Sequence, residues 1–322
     1  MKSFRVLGIL GILTLAVAIP VRGYVTSKSL AAIGGVVQQK WRSGSFPLVW
    51  RMNPTKGANV TGAREQADVL RQSFQAWQSL TTATISFSEG APTDAGVKPG
   101  FDQINLVTTN LSASDYSSSA LGLTLVFAFD VGGPAFVDEF SRPVEFPGQI
   151  VEADVMFNPG VLFTTETGVV SNRYDLQSVA THEIGHFLGL DHTSLVSSTM
   201  FPTLGTGFNY AKTLSADDIA GVSTIYPSAS FATKGKITGT VRTTANAAVY
   251  GAIVVAVNAN GQPVASSITN PSGQYTIEGL DAGVYTVYAE PLDQPITVDN
   301  VSTLTRIYAG QVVNTNFTTR FR

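Results

Sequence analysis

The densest chemistry in this chain lies in one run, His182-Glu183-Ile184-Gly185-His186-Phe187-Leu188-Gly189-Leu190-Asp191-His192. His182 and His186 are four residues apart. At 3.6 residues per helical turn they stand one above the other on one face, so two imidazoles can reach a single metal ion. Gly189 lets the chain leave that helix and turn, and His192 returns from beyond the turn as a third donor. Three neutral imidazoles with a fourth position left for water are the mark of a catalytic rather than a structural zinc. Glu183 follows the first histidine, is not needed as a ligand, and is placed to act as general base on a water. A bare His-Glu-x-x-His arises often by chance; the added glycine and third histidine at fixed spacing are far more specific. These three are the only histidines in the chain. A helix whose histidines merely cap carbonyls or face solvent has to explain why all three fall in ligand spacing.

The helix that must carry this run starts near Tyr174-Asp175 and continues through Leu176, Val179, Ala180, Ile184 and Leu188. Gly189 sits where a helix C-terminal glycine belongs. An earlier helix is expected over residues 63–81, where Ala67, Leu70, Phe74, Trp77 and Leu80 recur at spacings of three and four. A third begins at Ser215, with Asp218 three residues on as a capping-box partner, and stops at Tyr226-Pro227. Strands are expected at 46–53, 84–87, 103–107, 123–129 and 151–157, with a long loop before the last.

Residues 228–234 are small and polar and read as a linker. Beyond them the texture changes. Short strands at 237–242, 252–257, 275–278 and 284–289 are punctuated by Asn260-Gly261, Asn270-Pro271-Ser272-Gly273 and Asp281-Ala282-Gly283, the pattern of a β-sandwich. At the other end, Lys2 and Arg5 precede an apolar run from Leu7 to Ile19 that Pro20 breaks. That run is shorter than the roughly 20 residues a membrane span needs. It reads as a secretory signal over 1–23, or else as an uncleaved anchor or a buried strand. Residues 24–45 then form an ordered lead-in or a short flexible arm.

The chain has no cysteine, which excludes disulfides, thiolate catalysis and thiolate-held zinc. An exported chain without cysteine points to a bacterial source. The net charge of −3 offers no basic patch for nucleic acid. A monomer without a stable membrane span, acting on a peptide or protein substrate, is expected.

With these residues in view, the segment resembles the metzincin clan of zinc proteases, and within it the matrixins. Ser198-Thr199-Met200-Phe201-Pro202 resembles their Met-turn. Leu214 to Val222 with Ile225-Tyr226-Pro227 is similar to their third helix, and Ala153 to Asn158 to the strand before the zinc helix. The likeness covers about residues 46–227. It implies an α+β catalytic domain, a twisted five-stranded sheet plus three helices, with Met200 as an apolar floor beneath the histidines. As a flexible thioether Met200 suits that place; the alternative is an ordinary core methionine. The resemblance further implies that substrate pairs with an edge strand near Ala120, Leu121 and Gly122, and that Val179 and Pro202 help line a pocket. It also implies that Asp217 and Asp218 tie the third helix to the Met-turn backbone or to a new N-terminus.

The departures from the family are specific. Thiol latency is excluded, and no histidine remains for a second, structural zinc, so one catalytic zinc is expected. Calcium is a further candidate: Asp130, Asp138, Glu139 and Asp154 are available, but their spacing assembles no coordination set and such acids more often form a solvated loop. Pro202-Thr203-Leu204 replaces the family's Pro-x-Tyr, and no tyrosine follows two residues after Met200 to serve as a fifth ligand.

Residues 235–322 resemble the carboxypeptidase regulatory-like domains, through Gly239-Thr240-Val241, Gly251-Ala252, Gly273-Gln274-Tyr275-Thr276-Ile277, Gly279-Leu280, Ala282-Gly283 and Tyr285-Thr286-Val287. This small all-β sandwich carries no catalytic constellation. Spacer, stabiliser and substrate-docking module all fit it, and cleavage of small peptides is expected to survive its removal. For the whole chain the expected function is a secreted zinc metalloendopeptidase. The alternatives are a zinc-binding surface or adhesion protein without turnover, and an amidase or peptidase on cell-wall peptide.

Overall fold

The computed structural model describes residues 25–32, 34–292, 296–301, 304, 307–308 and 310–321; the expected signal segment at 1–23 lies outside the described residues. The first described residues are ordered and packed. Strand β1 (Lys28–Leu30) pairs antiparallel with β2 (Val36–Gln38), and β3 (Lys40–Trp41) follows. Thr26 bridges Leu190, the Ser27 N–H donates to the Gly189 carbonyl (2.9 Å), and the Asp191 N–H donates to the Val25 carbonyl (2.8 Å). Val25, Thr26 and Ser27 therefore line the exit of the histidine helix.

The main sheet is built on β4 (Leu48–Met52), where Leu48, Trp50 and Met52 are buried and Val49 and Arg51 exposed, the period-two alternation of a strand with one covered face. After the short β5 (Val60–Thr61) comes helix α1 (Gln66–Gln78), then β6 (Phe87–Glu89), β7 (Leu106–Thr108), β8 (Gly122–Ala128) and β9 (Gln149–Phe157). The sheet order is β6-β4-β7-β9-β8, with β3 also parallel on β9. All neighbours are parallel except β8, which runs antiparallel to β9 and has no strand on its other edge among the described residues.

Two expected strands start later than the pattern suggests. Thr84 and Ile85 lie off the sheet ladder: the Thr84 N–H donates to the Tyr226 carbonyl (2.8 Å), Ser86 joins β4 only through its carbonyl, which accepts the Leu48 N–H (2.9 Å), and the strand itself begins at Phe87. Before β7 the Asp102 and Gln103 N–H groups go to the buried Glu152 carboxylate (2.7 and 2.5 Å) rather than to a strand, and Gln103 takes φ 71°. Helix α1 is shorter than expected because Glu65 is extended and its helix begins at Gln66. Its apolar face, with Val69, Leu70, Phe74 and Trp77 buried, packs on the sheet and on the histidine helix.

After β10 (Phe163–Thr164) and β11 (Tyr174–Asp175), helix α2 (Leu176–Phe187) carries two of the three histidines, and α3 (Ala216–Ile225) closes this part of the chain. The Ser215–Asp218 capping box forms as expected. Residues 228–234 are anchored: Ser228 and Ser230 hydroxyls both donate to the Thr81 carbonyl (2.8 Å).

The remaining strands are β12 (Gly235–Thr240), β13 (Ile253–Asn258), β14 (Pro263–Ile268), β15 (Gln274–Leu280), β16 (Tyr285–Glu290) and β17 (Arg320–Phe321). They form two sheets, β12-β15 and β14-β13-β16-β17. Strand β14 has no counterpart in the sequence reading, because Ala265-Ser266-Ser267 supplies neither alternation nor branched side chains. Strand β13 is the unbroken apolar run Ile253-Val254-Val255-Ala256, which fits burial on both faces. Val254 and Ala256 face Ile277 and Leu280 of the other sheet. Ile253 and Val255 face the opposite way, into a separate core shared with Val25, Leu195 and Phe201.

Candidate metal centre

The three histidines converge. Their Nε2 atoms form a triangle with sides of 3.1, 3.2 and 3.2 Å. Each Nδ1 meets a backbone carbonyl: His182 that of Thr199 (2.7 Å), His186 that of Leu190 (2.9 Å), His192 that of Asn300 (2.7 Å). A carbonyl only accepts, so each Nδ1 carries the proton and each Nε2 presents a lone pair. Three lone pairs at this spacing, with no hydrogen between them, repel one another unless a cation sits among them. Nitrogens bonded at 2.0–2.1 Å to a tetrahedral zinc are about 3.3 Å apart, close to the observed sides. Burial favours the neutral, ligating form: it holds His182 well below the usual imidazole range and takes His186 down to about 4, with the neighbouring histidines acting in the same direction. Among the described residues this is the one group of three or more possible metal ligands.

Several elements hold α2 in place. Asp175 caps it by accepting the Ser178 N–H (2.7 Å) and pairs with Lys212 (2.9 Å). At the other end the Trp41 indole N–H donates to the Phe187 carbonyl (2.7 Å) and the Tyr226 hydroxyl to that of Leu188 (2.8 Å). These bonds engage carbonyls at a helix end that has run out of helical donors. Gly189 follows with φ +92°, and a side chain there would strike the Gln39 carbonyl. Met200 is buried under α2, and a Cβ on Gly185 would overlap its sulfur. Gly185 is thus the position that lets Met200 and Trp77 approach the helix. Asp218 binds the Met-turn backbone: its carboxylate accepts the Thr199 and Met200 N–H groups (2.9 and 3.1 Å), the Ser198 hydroxyl, and the Ser215 N–H (2.8 Å). Asp217, its neighbour, faces elsewhere, accepting Thr193 Oγ1 (2.7 Å) and the Ser266 N–H of β14 (2.7 Å).

Glu183 is buried beside the triad. Burial pushes its carboxyl up to about 7, against the opposing pull of the Thr124 hydroxyl. That hydroxyl lies 2.7 Å from Oε2 and 2.9 Å from the carbonyl of the same residue. Gly122 also touches Glu183; a Cβ there would stand 2.5 Å from Oε1. Thr124 was invisible to sequence reasoning, since a threonine in a strand carries no motif. Gly122 begins β8, whereas Ala120 and Leu121 precede it and their carbonyls accept from Asn158 Nδ2 (2.8 Å) and the Asn158 N–H (2.9 Å). Val179 is buried in the main core, and Pro202 follows Phe201 half-buried.

Among the described residues, Asp130, Asp138, Glu139 and Asp154 form no cluster of three possible metal ligands. Asp138 pairs with Arg142 (2.6 Å), and Asp154 accepts the Gly100 and Leu106 N–H groups (both 2.8 Å).

Comparison with known proteins agrees with this geometry. The matrixin (peptidase M10) family model matches residues 40–227, and the carboxypeptidase regulatory-like domain matches 236–320. Metalloendoproteinase 2-MMP of Arabidopsis thaliana is 47% identical over 189 residues, covering 59% of this chain and 43% of that protein. Matrilysin of Rattus norvegicus is 35% identical over 102 residues, 31% of this chain and 34% of that protein. Macrophage metalloelastase of Oryctolagus cuniculus is 28% identical over 186 residues, 55% of this chain and 33% of that protein. The chain therefore spans less than half the length of each of these relatives. With the family model matched across more than half of its residues and the triad it requires assembled, this chain belongs to the matrixins.

Proposed function

We propose that the chain is an exported zinc-dependent endopeptidase in which His182, His186 and His192 bind the metal and Glu183 is the general base. The observation that carries this reading is the set of three convergent Nε2 lone pairs with a buried carboxylate beside them. Bound zinc supplies a Lewis acid that makes a water nucleophilic near neutral pH and polarises the scissile carbonyl. Glu183 accepts the proton of the attacking water and delivers it to the departing amine as the C–N bond breaks, leaving one new carboxylate and one new amine. Thr124 keeps Oε2 aimed, and Gly122 leaves the space in which the carboxylate lies.

A substrate in extended form would add to the free edge of β8 from Gly122 onward, by backbone pairing. Ala120 and Leu121, with their carbonyls already engaged, act as the entrance to that edge rather than as its rungs. Val179 and Pro202 stay as pocket-wall candidates. The metalloendoproteinase relatives support the peptide substrate class.

The test uses the full exported chain with a quenched peptide library. Cleavage should vanish with a zinc chelator and return with added zinc. Glu183→Gln should keep stoichiometric zinc and lose activity by about 10² or more. A wild-type protein that holds zinc and cleaves nothing would sink the peptidase reading and favour a binding role.

A further inference from the structure

We infer that the C-terminal β-sandwich completes the zinc centre, by presenting the Asn300 carbonyl to Nδ1 of His192. The inference rests on the zinc reading of the triad. His182 and His186 take their Nδ1 partners from Thr199 and Leu190, within the same half of the chain. His192 takes its partner from a residue 108 positions later. A ligating histidine is held in one tautomer and one ring orientation by the acceptor on its other nitrogen, and loss of that acceptor typically costs 10–100-fold in metal affinity. Asn300 is therefore a positioning residue that acts through His192.

The contact is built rather than incidental. Asn300 ends the short 3-10 turn Val298–Asn300, which Thr297 and Asn300 close as a capping box, the Asn300 side-chain oxygen accepting the Thr297 N–H (2.9 Å). The chain on either side is sunk into the shared core. Ile296 and Val301 are buried there with Leu292 and Leu304, against Ile253 and Val255 of β13 and against Leu195 and Phe201 from the loop that follows His192. A second tie reaches the residue next to the ligand. Thr193, Ser266 of β14 and Asp217 of α3 meet in one buried hydrogen-bonded knot. On α3 itself, Gly279 of β15 comes so close to Ala220 that a Cβ would stand 2.7 Å from the alanine methyl. The sandwich thus holds the third ligand at its ring and at the residue that follows it. Its removal should weaken metal binding, not leave small-peptide cleavage untouched.

A backbone carbonyl cannot be mutated away, but it can be turned. Val301→Pro drives residue 300 out of the helical region and so swings its carbonyl off His192. Val301→Ala loses packing at the same site and leaves the carbonyl in place. Zinc affinity of both full-length variants, measured by competition with a chromophoric chelator, should fall about tenfold or more for Val301→Pro and stay within about threefold of wild type for Val301→Ala. Equal losses, or no loss for the proline variant, would overturn the inference. Because the proline variant could fail to fold, the wild-type zinc protein supplies an independent reading: its proton spectrum should contain three slowly exchanging imidazole N–H resonances, one assigned to His192. Two protected resonances, with that of His192 exchanging freely, would also overturn it. If wild-type protein binds no zinc at all, the metal reading itself fails, an outcome these measurements separate from the first.

Discussion

His182 and His186 stand on one helix, and the carbonyls that orient them lie within 17 residues of them in sequence. His192 stands on a loop, and its orienting carbonyl comes from the far end of the chain. The neighbouring acids on α3 divide in the same way. Asp218 serves the Met-turn beneath the first two histidines; Asp217 serves the knot beside the third. One part of the site is thus framed by the catalytic half alone, and the other at the seam between halves. The difference teaches that a ligand set can be complete in sequence while the means of holding it is not.

The largest expected effect falls on the locally framed side. Asp218→Ala removes the acceptor for the Thr199, Met200 and Ser215 N–H groups, all at a residue only 2% exposed. Stranded buried donors cost about 1–3 kcal/mol each before relaxation, so a loss of roughly 3–5 kcal/mol is expected by denaturant titration. A loss below about 1 kcal/mol would mean that the Met-turn is held by something other than α3. Gly185→Ala comes next. The new methyl must displace Met200 and Trp77, and overpacking of this kind costs about 1–3 kcal/mol. Zinc affinity should fall with it, because the helix is pushed off its floor; unchanged melting and unchanged affinity would remove Met200 from the frame.

Thr124→Val tests the proposed base rather than the frame. It keeps the shape of the side chain and deletes the hydroxyl 2.7 Å from Glu183 Oε2. A hydrogen bond to a charged group contributes about 1.5–3 kcal/mol, so kcat should drop by about tenfold or more, with KM and zinc content little changed. Thr124→Ser should restore most of the rate. A shift in KM alone would move Thr124 from the base to the substrate edge.

These residues also mark what the sequence could and could not disclose. The triad was legible because its spacing is local and helical, and the α3 capping box because Ser215 and Asp218 are three apart. The sheet was legible wherever strands alternate, as in β4. Strand β14 was not, since Ser266 and Ser267 are buried by contacts from α3 and β13 that no periodicity encodes. Asn300 was not, because the functional atom is a backbone carbonyl, which every residue has. Thr124 and Gly185 fall between: each is ordinary in type, and each matters through one neighbour that only the fold supplies.

The smallest effect is a change of slope rather than of size, and it probes the seam. Burial, reinforced by the charge of Asp218, pushes the Asp217 carboxyl up to about 7, while the hydrogen bonds from Thr193 and Ser266 oppose the rise. A carboxyl whose folded pKa lies above its unfolded value near 4 contributes stability that is complete below about pH 4 and is lost as pH rises through about 7. Asp154 and Glu183 shift in the same direction, and His182 and His186 in the opposite one, so the raw melting profile mixes their effects. Comparison with Asp217→Asn isolates the one group, because the others are common to both proteins. In metal-free protein, the melting temperature of wild type should fall relative to that of the variant as pH rises from 4 to 7.5, since the asparagine stays neutral throughout. Parallel profiles would mean that Asp217 is already ionised across this range and that the seam holds a settled charge. A wild type that falls relative to the variant would identify the seam as the pH-sensitive half of the site's support, with the Met-turn side, where Asp218 is shared by both proteins, as the constant against which it is read; a wild type that rises would mean that the Asp217 carboxyl is held below its unfolded value and would sink the prediction.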